Sequence, residues 1–396
     1  MLSVQCTSSS PTAVPVANLH APLRWAFLAV AALGASLLPA GVFAQQPSGF
    51  AVIATGLEAP RGLRFGPDGE LYVAEAGTGG SQSTAGKCQQ VPVPVGPYTG
   101  GSTGRVSKIS KNGTVTTVAS GFPSTQDAMG DLIGVADVAF LGNQLYALVA
   151  GGGCSHGNPT SPSGVAKVDR NTGKWSLVAD VGAFLKSHPA KYESVDDFEP
   201  DGTLYSMIPW GGSLYAVEPN HGQVLSVTPG GTIAQVLDVS ASQGHIVPTA
   251  IAEGDGAFYV GNLNLFPIDP QWARILTFSK SPDDDRLAPG FSPRSAAHIL
   301  NSKAGFTTVV AVDFGPDGLL YVLELSDAAG FPTPGAGKVV RVKHSGEIED
   351  VVTQLNVPTG MTFGPDTRLY ISDFGAVPAP AFGIGRILRF DVAPGW

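Results

Sequence analysis

The chain has 396 residues, of which only 14% are charged, while 51 are glycine and 32 are proline. Its net charge of −9 disfavours nucleic acid and anionic lipid as partners. Sparse charge, many turn formers and few long helical patterns point to an all-β protein with tight connections.

Residues 1–44 read as an export signal. A polar start with Arg24 as its one cation precedes the apolar run from Trp25 to Ala40. Val42-Phe43-Ala44 then offers small residues at the spacing a signal peptidase needs. The apolar run is short for a membrane span. The expectation is cleavage near Ala44, delivery to the periplasm or outside the cell, and no stable membrane insertion. Cys6 falls in that leader, leaving Cys88 and Cys154, which permit a single intramolecular bridge in an oxidising compartment. Residues 45–396 read as one domain.

Phe50-Ala-Val-Ile-Ala54 is a strand pattern with no repeat of its own. The repeats begin with Phe65-Gly-Pro-Asp-Gly-Glu-Leu-Tyr-Val-Ala-Glu75, in which Pro, Asp and Gly turn the chain between two strands. The phrase returns as Phe314-Gly-Pro-Asp-Gly-Leu-Leu-Tyr-Val-Leu-Glu324 and Phe363-Gly-Pro-Asp-Thr-Arg-Leu-Tyr-Ile-Ser-Asp373, with weaker copies ending at Tyr146, Tyr215 and Tyr259. A second set of turns joins two further strands per unit: Lys111-Asn-Gly-Thr, Arg170-Asn-Thr-Gly-Lys, Thr228-Pro-Gly-Gly-Thr and His344-Ser-Gly-Glu. Six four-stranded units of this kind predict a six-bladed β-propeller. The last unit ends at Gly385-Arg-Ile-Leu-Arg-Phe-Asp391, one strand short, so residues 50–54 are expected to pair there and close the ring.

Within each unit the strands are labelled A to D in chain order. The A–B and C–D turns are short and share one face. The B–C connections share the other face and are long, at 76–104, 151–164, 263–272, 326–337 and 375–385. Long connections confined to one face of a repeat array mark a binding surface. Strand B ends on that face, three residues after each repeat Tyr, at Glu75, Val149, Glu218, Asn262, Glu324 and Asp373. Oxygen-bearing side chains from several blades can bind a hard cation such as Ca²⁺ or a polar ligand, and they can equally bond loop N–H groups. Strand A starts on the same face and is expected to line the channel with Arg61, Ala136, Tyr205, Thr249, Val310 and Thr359, Asp137 following Ala136. The connection into the third unit holds Glu193-Ser-Val-Asp196-Asp197-Phe-Glu199-Pro200-Asp201, an acid cluster in which Glu199 and Asp201 share a side if extended. Histidines 156, 188, 221, 245, 298 and 344 follow no metal or catalytic spacing, and no nucleophile elbow or P-loop occurs.

Taken with Pro60-Arg-Gly-Leu-Arg-Phe, Glu199-Pro-Asp201, Val247-Pro-Thr, Tyr259-Val-Gly and Val357-Pro-Thr-Gly-Met361, the repeats resemble the ScyD/ScyE family of exported, NHL-like propellers. The resemblance spans nearly all of 50–396 and implies fold and export; it carries no catalytic residues over. The chain departs from it after Asp201, reading Gly-Thr-Leu-Tyr-Ser206, and has Ala136 where a His commonly precedes the Asp. The expected function is a monomeric, exported binding or accessory propeller. Its loop-rich face would hold a small molecule, glycan or protein through Arg61, Glu75, Asp137, Glu199, Asp201, Asn262, Glu324 and Asp373. The alternatives are a Ca²⁺-dependent lactonase or esterase of the gluconolactonase kind, and a quinoprotein sugar dehydrogenase, which needs a channel His and a basic cofactor clamp.

Overall fold

A computed structural model describes residues 49–279, 299–378 and 381–393. Residues 1–44, expected from the sequence to be an export signal, and His298 lie outside the described residues. The fold is an all-β, six-bladed propeller. Blade 1 is Pro60–Phe65, Leu71–Glu75, Thr99–Ile109 and Val115–Gln126; blade 2 is Val135–Leu141, Gln144–Val149, Gly164–Val168 and Trp175–Asp180. Blade 3 is Ser206–Trp210, Ser213–Glu218, Gln223–Val227 and Ile233–Asp238; blade 4 is Pro248–Gly254, Ala257–Asn262, Ala273–Ser279 and Ile299–Phe306. Blade 5 is Val309–Phe314, Leu320–Glu324, Gly337–Val342 and Ile348–Leu355.

Blade 6 takes strands A to C from Gly360–Phe363, Leu369–Asp373 and Gly385–Phe390. Its outer strand is Phe50–Leu57, antiparallel to Gly385–Phe390 with Phe50 opposite Phe390. The ring therefore closes as the surplus and missing strands predict, and the first and last repeats shield each other's edges.

The repeat phrase also explains how blades adhere. Four of the six repeat tyrosines meet the strand-A Phe of the next blade edge-on: Tyr72 with Phe140, Tyr259 with Phe314, Tyr321 with Phe363 and Tyr370 with Phe65, centroids 4.9–5.0 Å apart. The Tyr72, Tyr321 and Tyr370 hydroxyls donate back to Asp68, Asp317 and Asp366 of the Gly-Pro-Asp turns at 2.7, 2.9 and 3.0 Å. Those aspartates are thus fixed on the face opposite the long loops. Six apolar clusters fill the seams between neighbouring blades, the last joining Leu57, Tyr370 and Ile387 to Leu63, Leu71 and Val73.

Two features differ from the sequence reading. Residues 99–104 are not loop: strands C and D of blade 1 run on as an 11- and a 12-residue ribbon, paired from Thr99–Gln126 inward. A helix, Val181–Ser187, leads toward blade 3, N-capped by the Asp180 side chain accepting from Ala183 N. The disulfide joins Cys88 to Cys154, tying the long loops of blades 1 and 2. Among the described residues no helix is long and apolar enough to cross a membrane.

Candidate functional site

The strand-B termini sit where the sequence puts them, at the loop-rich ends of their strands, but the five polar ones are each consumed inside their own blade. Glu75 is fully buried. It accepts from Arg105 Nε and Nη2 at 2.8 and 2.6 Å, from Glu58 N at 2.7 Å and from Ser107 Oγ. Asp373 accepts from Asn356 N at 2.7 Å and Arg386 Nε at 2.9 Å. Glu324 takes Thr307 N at 3.0 Å, with Lys338 Nζ 3.8 Å from its other oxygen. Asn262 donates to Ile246 O and accepts from Arg274 N, and Glu218 accepts from Thr203 N and His221 N.

The pattern has one physical cause. A carboxylate or amide at the end of strand B pins the chain arriving for strand A of the same blade, and where strand C sets a cation opposite it, as Arg105, Lys338 and Arg386 do, the charge is matched. Burial raises the Glu324 and Asp373 carboxyls despite their cationic neighbours. The structure does not bring Glu75, Asn262, Glu324 and Asp373 together around one ion. Among the described residues no three His, Cys, Asp or Glu side chains are placed to hold a metal.

What converges on the axis is the start of strand A. Arg61, Ala136, Tyr205, Thr249 and Val310 all line a cavity of about 220 Å³ at the loop-rich mouth of the channel. That is far more than the ~10–15 Å³ one water needs. Thr359 lines a smaller space of about 30 Å³ deeper in the channel, walled off by the shared side chains Tyr205 and Val310. Asp137 belongs to that deeper space rather than the mouth. It accepts from Val138 N and, across the seam, Met207 N, both at 2.8 Å, and burial pushes it up to about 6.

The mouth cavity is two-sided. One side is apolar: Val247, Leu263, Leu265, Val310 and Leu325. Beyond its rim, Ile268 and Gly330 zip the blade 4 and blade 5 loops together, with Phe266 and Phe331 stacked nearby. The other side carries Asp127, Asp131, Asp197 and Glu199. Glu199 is buried, with Tyr98 Oη donating to Oε1 at 2.9 Å and His156 Nε2 lying 3.0 Å from Oε2. His156 Nδ1 donates to Gly152 O at 2.6 Å, so Nε2 also carries a proton when it binds the carboxylate. Burial opposes a charged ring, yet the Glu199 carboxylate raises His156 above the ordinary histidine range. Burial, then the Glu199 charge, puts the Tyr98 hydroxyl well above its usual value. Asp197 Oδ2 meets His245 Nε2 at 2.7 Å.

Asp201 does not share the cavity with Glu199. It faces the other way, accepting from Ser155 N and Oγ at 2.7 Å and from Lys186 Nζ at 2.5 Å. Burial acts against its charge, but these donors hold it below the usual carboxylate range. Glu199 and Asp201 thus clamp the blade 2 loop from two sides, through His156 and Ser155. Cys154 precedes both, so the disulfide anchors the same wall.

Asp127 and Asp131 lie in the connection from blade 1 to blade 2, which the sequence reading passed over. Asp127 Oδ1 accepts from Met129 N at 2.9 Å and Asp131 N at 2.7 Å. Burial, reinforced by the Asp131 charge, pushes Asp127 up to about 6. Asp131 is exposed to solvent, yet desolvation by the surrounding loops raises its carboxyl also, while Arg61 opposes the rise. Arg61 donates through Nη2 to Leu132 O. Tyr98, His156 and His245 were likewise missed; none falls at a repeated position, and no spacing links them to the acids they meet.

No protein-family model matches the chain, and no curated protein matches it. Solved structures do. A calcium-binding protein, regucalcin, from Agrobacterium tumefaciens is 14% identical over 89% of this chain and 96% of its own, at a TM-score of 0.51. The PQQ-bound aldose sugar dehydrogenase of Streptomyces coelicolor is 12% identical over 88% and 98%, at 0.50. A protein of unknown function from Bacteroides thetaiotaomicron is 12% identical over 87% and 76%, at 0.52. At such identities the likeness is one of fold.

Proposed function

We propose that this chain is an exported ligand-binding propeller whose site is the mouth cavity between the blade 1–3 acids and the blade 4–5 apolar wall. The carrying observation is that cavity itself: a preformed, largely apolar hollow with a few polar groups converging from several blades. Both Glu199 oxygens are already engaged by Tyr98 and His156, which suits a fixed acceptor better than a mobile general base. The Cys88–Cys154 bridge supports an oxidising compartment, and the motifs shared with the ScyD/ScyE family support export.

A Ca²⁺-dependent lactonase reading draws on the fold shared with regucalcin, and a quinoprotein reading on that shared with the sugar dehydrogenase. Each asks for a donor set that the described cavity does not gather. The carboxylates there are spread over separate partners, and Arg61 is the cation among the lining residues.

The test is ligand capture by native mass spectrometry with a small-molecule library, with and without added Ca²⁺, on the full chain and on Ala136→Phe. The variant fills the cavity from strand A of blade 2. Ligands retained by the parent and lost by Ala136→Phe, with or without Ca²⁺, support the reading. Ligands held equally by both place binding elsewhere.

A further inference from the structure

We infer that the mouth cavity takes an organic ammonium on an apolar body, with Asp127 as the anchor for the charge. This rests on the binding reading above and narrows it to a ligand class. The argument begins with which carboxylates already have a counter-charge. Glu199 has His156 and Asp197 has His245. Asp131 has the Arg61 charge close enough to oppose its shift. Asp127 has neither: it bonds backbone N–H groups, and among the described residues no Lys, Arg or His forms an ion pair with it.

Asp127 is nonetheless more than nine-tenths buried and lines the cavity. A buried carboxylate without a counter-ion is costly, and a ligand cation within hydrogen-bond reach removes that cost. The surroundings favour an ammonium over a polyol. Tyr98 Oη is spent on Glu199 and Thr249 Oγ1 donates to Val309 O at 2.5 Å, so neither hydroxyl is free to donate to a ligand. The facing wall of Leu263, Leu265, Val310 and Leu325 suits a hydrocarbon or aromatic body instead. The buried Thr203 hydroxyl, on a residue lining the cavity, has no hydrogen-bond partner. It is available as a second acceptor for an ammonium N–H.

The experiment uses three matched probes on the full chain: 2-phenylethylamine, 2-phenylethanol and 3-phenylpropanoate, titrated at pH 7.5 by ligand-observed NMR. The expected order is amine first, by about tenfold or more over the alcohol, as one charge-assisted hydrogen bond gives. Asp127→Asn keeps an oxygen for the Met129 and Asp131 N–H groups, so it should fold. It should erase the amine's advantage and leave the alcohol's affinity unchanged. Equal binding of amine and alcohol by the parent, or tighter binding of the carboxylate through Arg61, overturns the inference while the cavity remains the site. If no probe binds, or Ala136→Phe binds all three as the parent does, the binding reading itself fails and the inference with it. The ranking on the parent protein stands even if Asp127→Asn does not fold.

Discussion

Replacing Glu75 by Gln separates a ligand-facing acid from a blade-pinning one. The side chain is fully buried, and its two oxygens share four donors: Arg105 Nε and Nη2, Ser107 Oγ and Glu58 N. A glutamine leaves one oxygen in place and sets an NH₂ against donors on the other side, so an Arg105 bond is lost with either orientation. Breaking a buried ion pair costs about 3–5 kcal/mol. Arg105 is 29% exposed and partly resolvates, which brings the expected loss to about 2–3 kcal/mol. Urea or guanidinium unfolding followed by fluorescence should show a lower midpoint at unchanged slope. Binding of any mouth-cavity ligand, measured per folded molecule, should not change. Glu324→Gln should cost less, because Glu324 Oε2 has no hydrogen bond and only a 3.8 Å contact with Lys338. If Glu75→Gln unfolds at the parent's midpoint yet loses ligand, the carboxylate faces the ligand and the blade-pinning reasoning is refuted.

Three further outcomes are expected. Cys88→Ser with Cys154→Ser should cost about 4 kcal/mol by chain entropy over a 66-residue separation, less any native strain, and should weaken ligand binding too, since the bridge anchors the loop carrying His156; unfolding and titration under matched conditions check both. Removing residues through Leu57 should leave blade 6 three-stranded and strip Ala54 and Leu57 from the blade 6–1 seam, so soluble yield and melting temperature should fall sharply; a truncated protein as stable as the parent places closure elsewhere. Asp127→Asn should stabilise the unliganded protein at neutral pH. The fold raises this carboxyl from 3.8 to about 6, so its stabilising effect is full below pH 4 and is lost as pH rises through 6. Screening at the open mouth reduces the penalty removed at pH 7.5 to about 1–2 kcal/mol, and unfolding curves for parent and variant should converge toward pH 4.

The fold was legible because the repeat carries its own packing code. Phe and Tyr of each phrase meet Tyr and Phe of the adjoining blades, and the turn Asp holds the Tyr hydroxyl, so a motif read along the chain describes contacts across the seams. The channel ring was legible for the same reason: Arg61, Ala136, Tyr205, Thr249 and Val310 occupy one repeat position and converge on the axis. That repeat position did not reveal which way the strand-B acids are paired. A signal was present in strand C, which carries Gly104-Arg105-Val106, Gly337-Lys338-Val339 and Gly385-Arg386-Ile387 in the three blades whose strand B ends in Glu75, Glu324 and Asp373. Each cation is the cross-strand partner of the acid. Asp127, Tyr98 and His156 were not legible, because they come from loops without repeat register whose meeting depends on the disulfide and on the acid clamp at Glu199 and Asp201.

The most direct measurement is a crystal structure of the full chain with the tightest ligand from the capture experiment. The account predicts density in the mouth cavity, its polar end within hydrogen-bond distance of Asp127 and its body against Leu263 and Val310. A ligand on the Gly-Pro-Asp-Gly face, or outside the ring on the blade 4–5 loops with the mouth cavity empty, would contradict it.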